Sequence, residues 1–436
     1  MMLRRLSVLV LGCLAAGGTL AGQSDSSWIT WLRSNHHAIR QVAAGAPDDF
    51  SDLQFLKTVL ADRRIVQIGE SHHSVSEYGT TKTRLIKFLH QEMGFDVLAF
   101  KSSIYECSAI DWDRLSAADA LNASIFSVWA TEEMLPLFDY IKSSRQTQRP
   151  LAFVGFDQQI SSRSGVLSRP AFFRQIVGAI DPAYASEVSA FDTTFLDRIA
   201  REGPAYAAAS EAALVAFYEG LAEFLRTNRA RLDTLFPDGS PGRAERVALS
   251  MARHVQTLRS FRNNPEDTSD GGHIVLRDSM MADHITYWAR DVYPDRKIIV
   301  WASNIHVRHD ADATSWVFPT MGSWLVERFR DQLYTIGLFP NRGAAAGGNR
   351  AASAIEPAGE GTMERLLSST GAPLLFVDLL HQRRDTGNAW MFETIPARDA
   401  AIIGPSGMLT VPMVPRDQYD GILFFEEISV PRFLSR

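Results

Sequence analysis

Ile65-Val66-Gln67-Ile68-Gly69-Glu70-Ser71-His72-His73 decides the reading of this chain. A short, mostly apolar run breaks at a glycine and opens into an acid, a hydroxyl and two imidazoles. Runs of that kind are buried strands, bounded by turn residues and not alternating in polarity. Six more come later in the chain: Val97 to Phe100, Leu151 to Val154, Ile298 to Trp301, Tyr334 to Gly337, Leu374 to Val377 and Gly421 to Phe425. Helical patterns separate them. Between the first two, Leu85, Ile86, Leu89 and Met93 recur at helical spacing, and Gly94 ends the helix read from Ser76 to Met93. The fold class expected is α/β, with a mostly parallel central sheet covered by helices. Residues 165–290 show no strand pattern and read as a helical cap or insertion beside the sheet. Asn341 to Gly361 is Gly/Ala-rich and reads as a surface excursion.

Composition narrows the function. The chain has 436 residues, 46% hydrophobic and 22% charged, with a net charge of -6. That is enough apolar material for a large core, and no basic patch recommends a nucleic acid or an anionic membrane as partner. A small molecule and a monomeric protein are the expectation. Residues 1–22 run basic, apolar, small: Arg4-Arg5, then Leu6 to Leu14, then Thr19-Leu20-Ala21. This order is that of a secretory signal peptide, so an exported protein, periplasmic or secreted, is expected. Cys13 also sits in a lipobox-like setting, which gives lipid anchoring as the alternative. No later stretch has the roughly 18 apolar residues of a membrane span. Cys107 is then the one cysteine of the mature chain and reads as a buried apolar residue.

Open α/β sheets bind ligands beyond the carboxyl ends of their strands. There this sequence delivers Glu70 and His73, then Lys101, then Gly155-Phe156-Asp157, then Ser303-Asn304-Ile305-His306. Neither a Gly-x-Ser-x-Gly elbow nor a phosphate-binding glycine loop is present. An imidazole held by a carboxylate three residues away can act as a general base toward water. Two histidines with carboxylates could equally hold a divalent metal. Spacing alone leaves both open.

The order of these motifs resembles the erythromycin esterase family. Glu70-x-x-His73, Ser76-Glu77-Tyr78, Lys82, Arg84-Leu85 and Gly94-Phe95 match its opening segment. Trp129 with Glu132 or Glu133, Gly155-Phe156-Asp157, Arg277-Asp278 with Met281, Trp301-Ala302-x-Asn304-x-His306-Val307, Met321-Gly322 and Tyr419-Asp420 come after it in order. The resemblance covers residues 60 to 430 and implies one domain, 23–436, that carries a hydrolase. It implies His73 as general base, Glu70 as its partner and His306 lining the cleft. Lys82, Lys101, Asp157, Arg277, Ser303 and Asn304 would contact substrate, with no metal or other cofactor required.

The chain also departs from the family pattern. Lys101 stands where an acid is usual, Ser303 where a further histidine is usual, Lys82 where an arginine is usual, and Asp283-His284 in a motif that usually carries Glu. A lysine in place of an acid reverses local charge and should lower the pKa of a nearby imidazole. Three readings result: an ester or lactone hydrolase with Lys101 as oxyanion donor, a metal-assisted hydrolase, and a ligand-binding protein without turnover. An exported protein is poorly placed to protect a ribosome, so a substrate other than a macrolide antibiotic is expected.

Overall fold

In the computed structural model, the described residues are 21–309, 318–347, 349–399, 403–404 and 407–435. The leader read at residues 1–22, Cys13 included, lies outside them except for Ala21 and Gly22 at the start of a helix. None of the described helices is long and apolar enough to cross a membrane.

The seven apolar runs form seven strands: β1 Ile65–Ile68, β2 Phe95–Ser103, β3 Ala152–Asp157, β4 Lys297–Trp301, β5 Leu333–Ala346, β6 Leu374–Asp378 and β7 Gly421–Ile428. They lie in the order β6-β7-β5-β1-β4-β2-β3, and all neighbours are parallel except β6 on β7. His37–Ala38 adds an antiparallel piece outside β6, and Ala352–Ile355 pairs antiparallel with the end of β5. The α/β class with a mostly parallel sheet is therefore the observed one. The excursion read at Asn341 to Gly361 is in part this hairpin. Small alanines gave it no alternating pattern to read.

Alternation along each strand explains the apolar runs. Ile65, Val97, Ala99, Ile298 and Val300 pack on one face of the sheet, and Val66, Ile68, Leu98, Phe100, Ile299 and Trp301 on the other. On the second face lie α1 Ser76–Met93 and α2 Leu135–Ser144, which contribute Leu85, Ile86, Leu89, Leu137 and Ile141. The first face is covered by α3 Arg169–Gly178, α4 Pro204–Thr227, α5 Ser240–Asn263 and α6 His273–Tyr287. Each fully buried aliphatic side chain adds roughly 1.5–3 kcal/mol, so burial on two faces fixes the strand register strongly. Gly94 closes α1 at φ 75°, a left-handed position that glycine adopts without steric cost.

Strand register brings the polar residues to one edge of the sheet. Ile68 pairs with Trp301, Trp301 with Phe100, and Phe100 with Gly155, giving one row across β1, β4, β2 and β3. Glu70, Ser303, Lys101 and Asp157 stand one or two residues beyond that row, on adjacent strands.

Candidate active site

Glu70 is the hub of the first half of the site. Only 2% of its side chain is exposed, and each of its oxygens is claimed. Oε1 lies 2.6 Å from Nδ1 of His73 and accepts from the indole Nε1 of Trp129 at 2.8 Å. Oε2 accepts from Nζ of Lys82 at 2.7 Å. Lys82 is fully buried, donates also to the carbonyl of Ala302 at 3.0 Å, and lies 4.3 Å from the centre of the Trp301 ring. Lys82 thus braces Glu70 from beneath and does not line the cleft. Burial alone would raise the Glu70 pKa, but Lys82 and His73 outweigh it and hold the carboxylate at about 2.

A carboxylate on Nδ1 makes that nitrogen the donor, so Nε2 of His73 carries the lone pair. The ring stands edge-on to Trp129, with centroids 4.7 Å apart, and 26% of its side chain is exposed. Burial is the largest influence on its pKa, opposed by Glu70 and reinforced by Lys101. The result is a value of about 4 and a neutral imidazole at physiological pH.

The second half repeats the arrangement. Nδ1 of His306, on the short helix Asn304–Val307 after β4, lies 2.8 Å and 2.9 Å from the two carboxylate oxygens of Asp278. Asp278 comes from α6 and is fully buried; its Oδ2 also accepts the backbone N–H of Met321 at 2.9 Å. Burial lowers the His306 pKa to about 4, against the pull of Asp278. One residue earlier on α6, Arg277 grips Asp157 with Nε and Nη2, the Nε contacts being 3.2 Å to each oxygen. Arg277 and Asp278 are thus not paired with each other: Arg277 reaches the end of β3 and Asp278 the short helix after β4.

Lys101 lies between the two halves, 4% exposed, with Nζ 5.9 Å from the centre of the Trp129 ring. It feels the charges of Glu70, Asp157, Arg277 and Asp278, and it acts in turn on His73 and His306. Burial, then Arg277, lower its pKa to about 7. Beside this group opens a cavity of about 360 Å³, floored by His306, Asp278 and Arg277 and walled by Leu258, Phe261 and Ile274. A larger cavity, about 510 Å³ beside Glu106, is lined by neither site histidine.

Of the residues singled out in the sequence, Glu70, His73, Lys82, Lys101, Asp157, Arg277 and His306 therefore form one connected cluster. Ser303 sits at the start of the His306 helix, its Oγ buried and without a hydrogen bond among the described residues. Asn304 belongs to the scaffold: its amide exchanges hydrogen bonds with the backbone of Leu338, at 3.1 Å and 3.2 Å. Gly69 exists for that strap, because a Cβ there would stand 2.3 Å from Asn304 Oδ1. Asp278 and Trp129 stand in the sequence as motif residues without a role; in the structure Asp278 holds His306 and the Trp129 indole donates to Glu70. Their adjacency to site motifs was the available signal. No group of three or more His, Cys, Asp or Glu among the described residues is arranged to hold a metal ion.

Comparison with known proteins identifies the family and the fold. The erythromycin esterase family profile matches residues 90–428, which leaves the Glu70-x-x-His73 segment just outside the match. A putative hydrolase of Bacillus subtilis, YbfO, is 32% identical over 98% of both chains, and so includes that segment. Erythromycin esterase type I of Escherichia coli is 28% identical over 64% of this chain and 71% of its own. The solved structure of an erythromycin esterase mutant in its open conformation superposes with a TM-score of 0.68, covering 92% of this chain and all of that one at 18% identity, which attests the fold. The chain belongs to the erythromycin esterase family.

Proposed function

We propose that the protein hydrolyses a carboxylic ester or lactone with a water molecule activated at Nε2 of His73. The observation that carries this is the 2.6 Å contact between His73 Nδ1 and Glu70, which fixes the tautomer and leaves the lone pair on Nε2 of a side chain that is 26% exposed. Water held there gives a proton to His73 as its oxygen attacks the carbonyl carbon. Glu70, ionised and braced by Lys82, steadies the imidazolium that forms. His306, oriented by Asp278, and Arg277 line the neighbouring cavity, which on this reading receives the substrate, although His73 is not itself among the residues that line it. On this reading the chemistry needs no metal ion and draws only on residues of this chain. The signal-like leader supports an exported enzyme whose substrate is a small ester or lactone other than a macrolide.

One observation favours a second reading. A pKa of about 4 makes His73 a weak proton acceptor, since general bases work best near the ambient pH. A protein that binds an ester without hydrolysing it would tolerate such a value. A panel of short-chain esters and lactones, followed by pH-stat titration of released acid, separates the two. Turnover by the purified protein supports hydrolysis; saturable binding of the same compounds without acid release supports the second reading.

A further inference from the structure

A carboxylate turns easily about its last torsion, which is broad and two-fold, so Glu70 meets His73 with a lone pair only if its plane is held. Lys82 does not hold it. An ammonium is a compact point charge with rotatable donors, and Oε2 can swing above it. The indole N–H of Trp129 points one way, in the plane of a buried ring. It meets the same oxygen as the imidazole: Glu70 Oε1 lies 2.8 Å from Trp129 Nε1 and 2.6 Å from His73 Nδ1.

We propose that Trp129 is the positioning residue of the general base: its N–H holds Glu70 Oε1 in the orientation that keeps the His73 proton on Nδ1 and the lone pair on Nε2. The inference rests on the ester-hydrolase reading. Trp129 acts through Glu70 and exchanges no proton itself. Its ring adds a direct constraint, standing edge-on to His73 with centroids 4.7 Å apart. Phe100 at 5.2 Å and Phe126 at 6.2 Å hold that ring in turn.

The backbone is tied in the same sense. Ser74, the residue after His73, has φ 55°, a left-handed conformation that residues other than glycine seldom adopt. Its Oγ donates to the carbonyl of Val128, the residue before Trp129, at 3.0 Å. Strain of this kind persists where the surroundings over-determine it. The turn Ser127–Trp129 thus grips Glu70, His73 and Ser74 together. The shared oxygen also tempers the carboxylate. Glu70, Lys101 and His72 are the titratable groups acting on His73, and Lys82 acts on Glu70. Without the indole donor, Glu70 would attract an imidazolium more strongly, and the His73 pKa would rise from about 4.

The test is Trp129→Phe, which keeps an aromatic ring and removes the donor. On a short-chain ester, kcat should fall by roughly tenfold or more, with KM within about threefold. The acid limb of kcat/KM should move upward from about pH 4. In nitrogen NMR of histidine-labelled protein, with His73→Ala supplying the assignment, the His73 ring should pass from a single Nδ1–H tautomer to a mixture. Phe126→Leu is the control, because it loosens packing on the Trp129 ring and spares the N–H; limb and tautomer should stay as they are. An unchanged limb and tautomer in Trp129→Phe, or equal changes in Phe126→Leu, overturn the positioning role. If Trp129→Phe does not fold, the unmodified protein decides. Its Trp129 indole N–H resonance should shift as pH falls through about 4, in step with the His73 ring, and an indole indifferent to that titration overturns the role. Absence of turnover by the unmodified protein would instead remove the hydrolase reading, while the His73 tautomer would still report whether Trp129 sets it.

Discussion

Nζ of Lys82 lies 2.7 Å from Oε2 of Glu70 with both side chains sealed from solvent, 0% and 2% exposed. A buried ion pair of this kind adds little net stability when intact, yet removing one partner strands the other charge. Lys82→Met should therefore destabilise the protein by about 3–5 kcal/mol. It should also raise the Glu70 pKa, because the principal opposition to burial disappears. Urea denaturation checks the first effect; a loss under about 1 kcal/mol would mean the pair is not buried as described.

Glu70→Gln keeps the shape of the hub and removes its charge. The amide can offer N–H to His73, which favours the tautomer with the proton on Nε2, where the lone pair is needed. Turnover should fall by roughly 10²–10⁴-fold, with KM changing far less. Steady-state kinetics decide, and a drop confined to KM would assign Glu70 to binding instead.

The pH dependence has a definite sign. His73 must be neutral to accept a proton, and its pKa of about 4 lies below the ordinary value of 6.5. Hydrolysis should persist down to about pH 5 and disappear as pH falls through about 4. A limb centred near 6.5 in the kcat/KM profile would show that the imidazole is not held as this geometry requires.

Lys101 should cost stability wherever it is charged. Its folded pKa, about 7, lies below the ordinary lysine value of 10.5. Below pH 7 both folded and unfolded chains carry the proton, and the burial penalty is present in full. Between pH 7 and 10.5 the folded chain has lost the proton and the unfolded chain has not, so the penalty fades as pH rises. Lys101→Met should therefore melt higher than the unmodified protein at about pH 6, with the gap narrowing by about pH 10. A gap that widens with pH would contradict the assignment.

Much of this was legible in the sequence, for a physical reason. Strands buried on both faces must be nearly all apolar, so β1, β4 and β6 announce themselves almost to the residue, and Gly94 marks the end of α1. The polar residues past each strand were readable because position relative to a strand end needs no knowledge of the distant chain. The two carboxylate–histidine pairs differ in this respect. Glu70 and His73 are three residues apart and visible as a pair. Asp278 meets His306 only because α6 packs across the sheet edge, and no local pattern carries that crossing. The Trp129 ring is buried among aromatics, and no local pattern marks its indole N–H as the contact with Glu70. Lys82 looked like a ligand contact because burial cannot be read from an isolated lysine.

Gly69→Ala tests the strap that runs past Gly69 between β5 and the His306 helix. The added methyl would stand 2.3 Å from Asn304 Oδ1 and 3.1 Å from Val307 Cγ2, so the Asn304–Leu338 hydrogen bonds must give way. Overpacking of this kind costs about 1–3 kcal/mol, and the shift of His306 should lower kcat as well. A variant with unchanged melting temperature and rate would show that the segment is looser than its hydrogen bonds indicate.

Removal of a proton from water by His73 is the step on which the whole mechanism stands. The most direct measurement is ester hydrolysis by folded His73→Ala with and without added imidazole. The expected result is loss of turnover of at least about 10²-fold and partial recovery as free imidazole fills the vacated space beside Glu70. Full activity in His73→Ala without imidazole would contradict it.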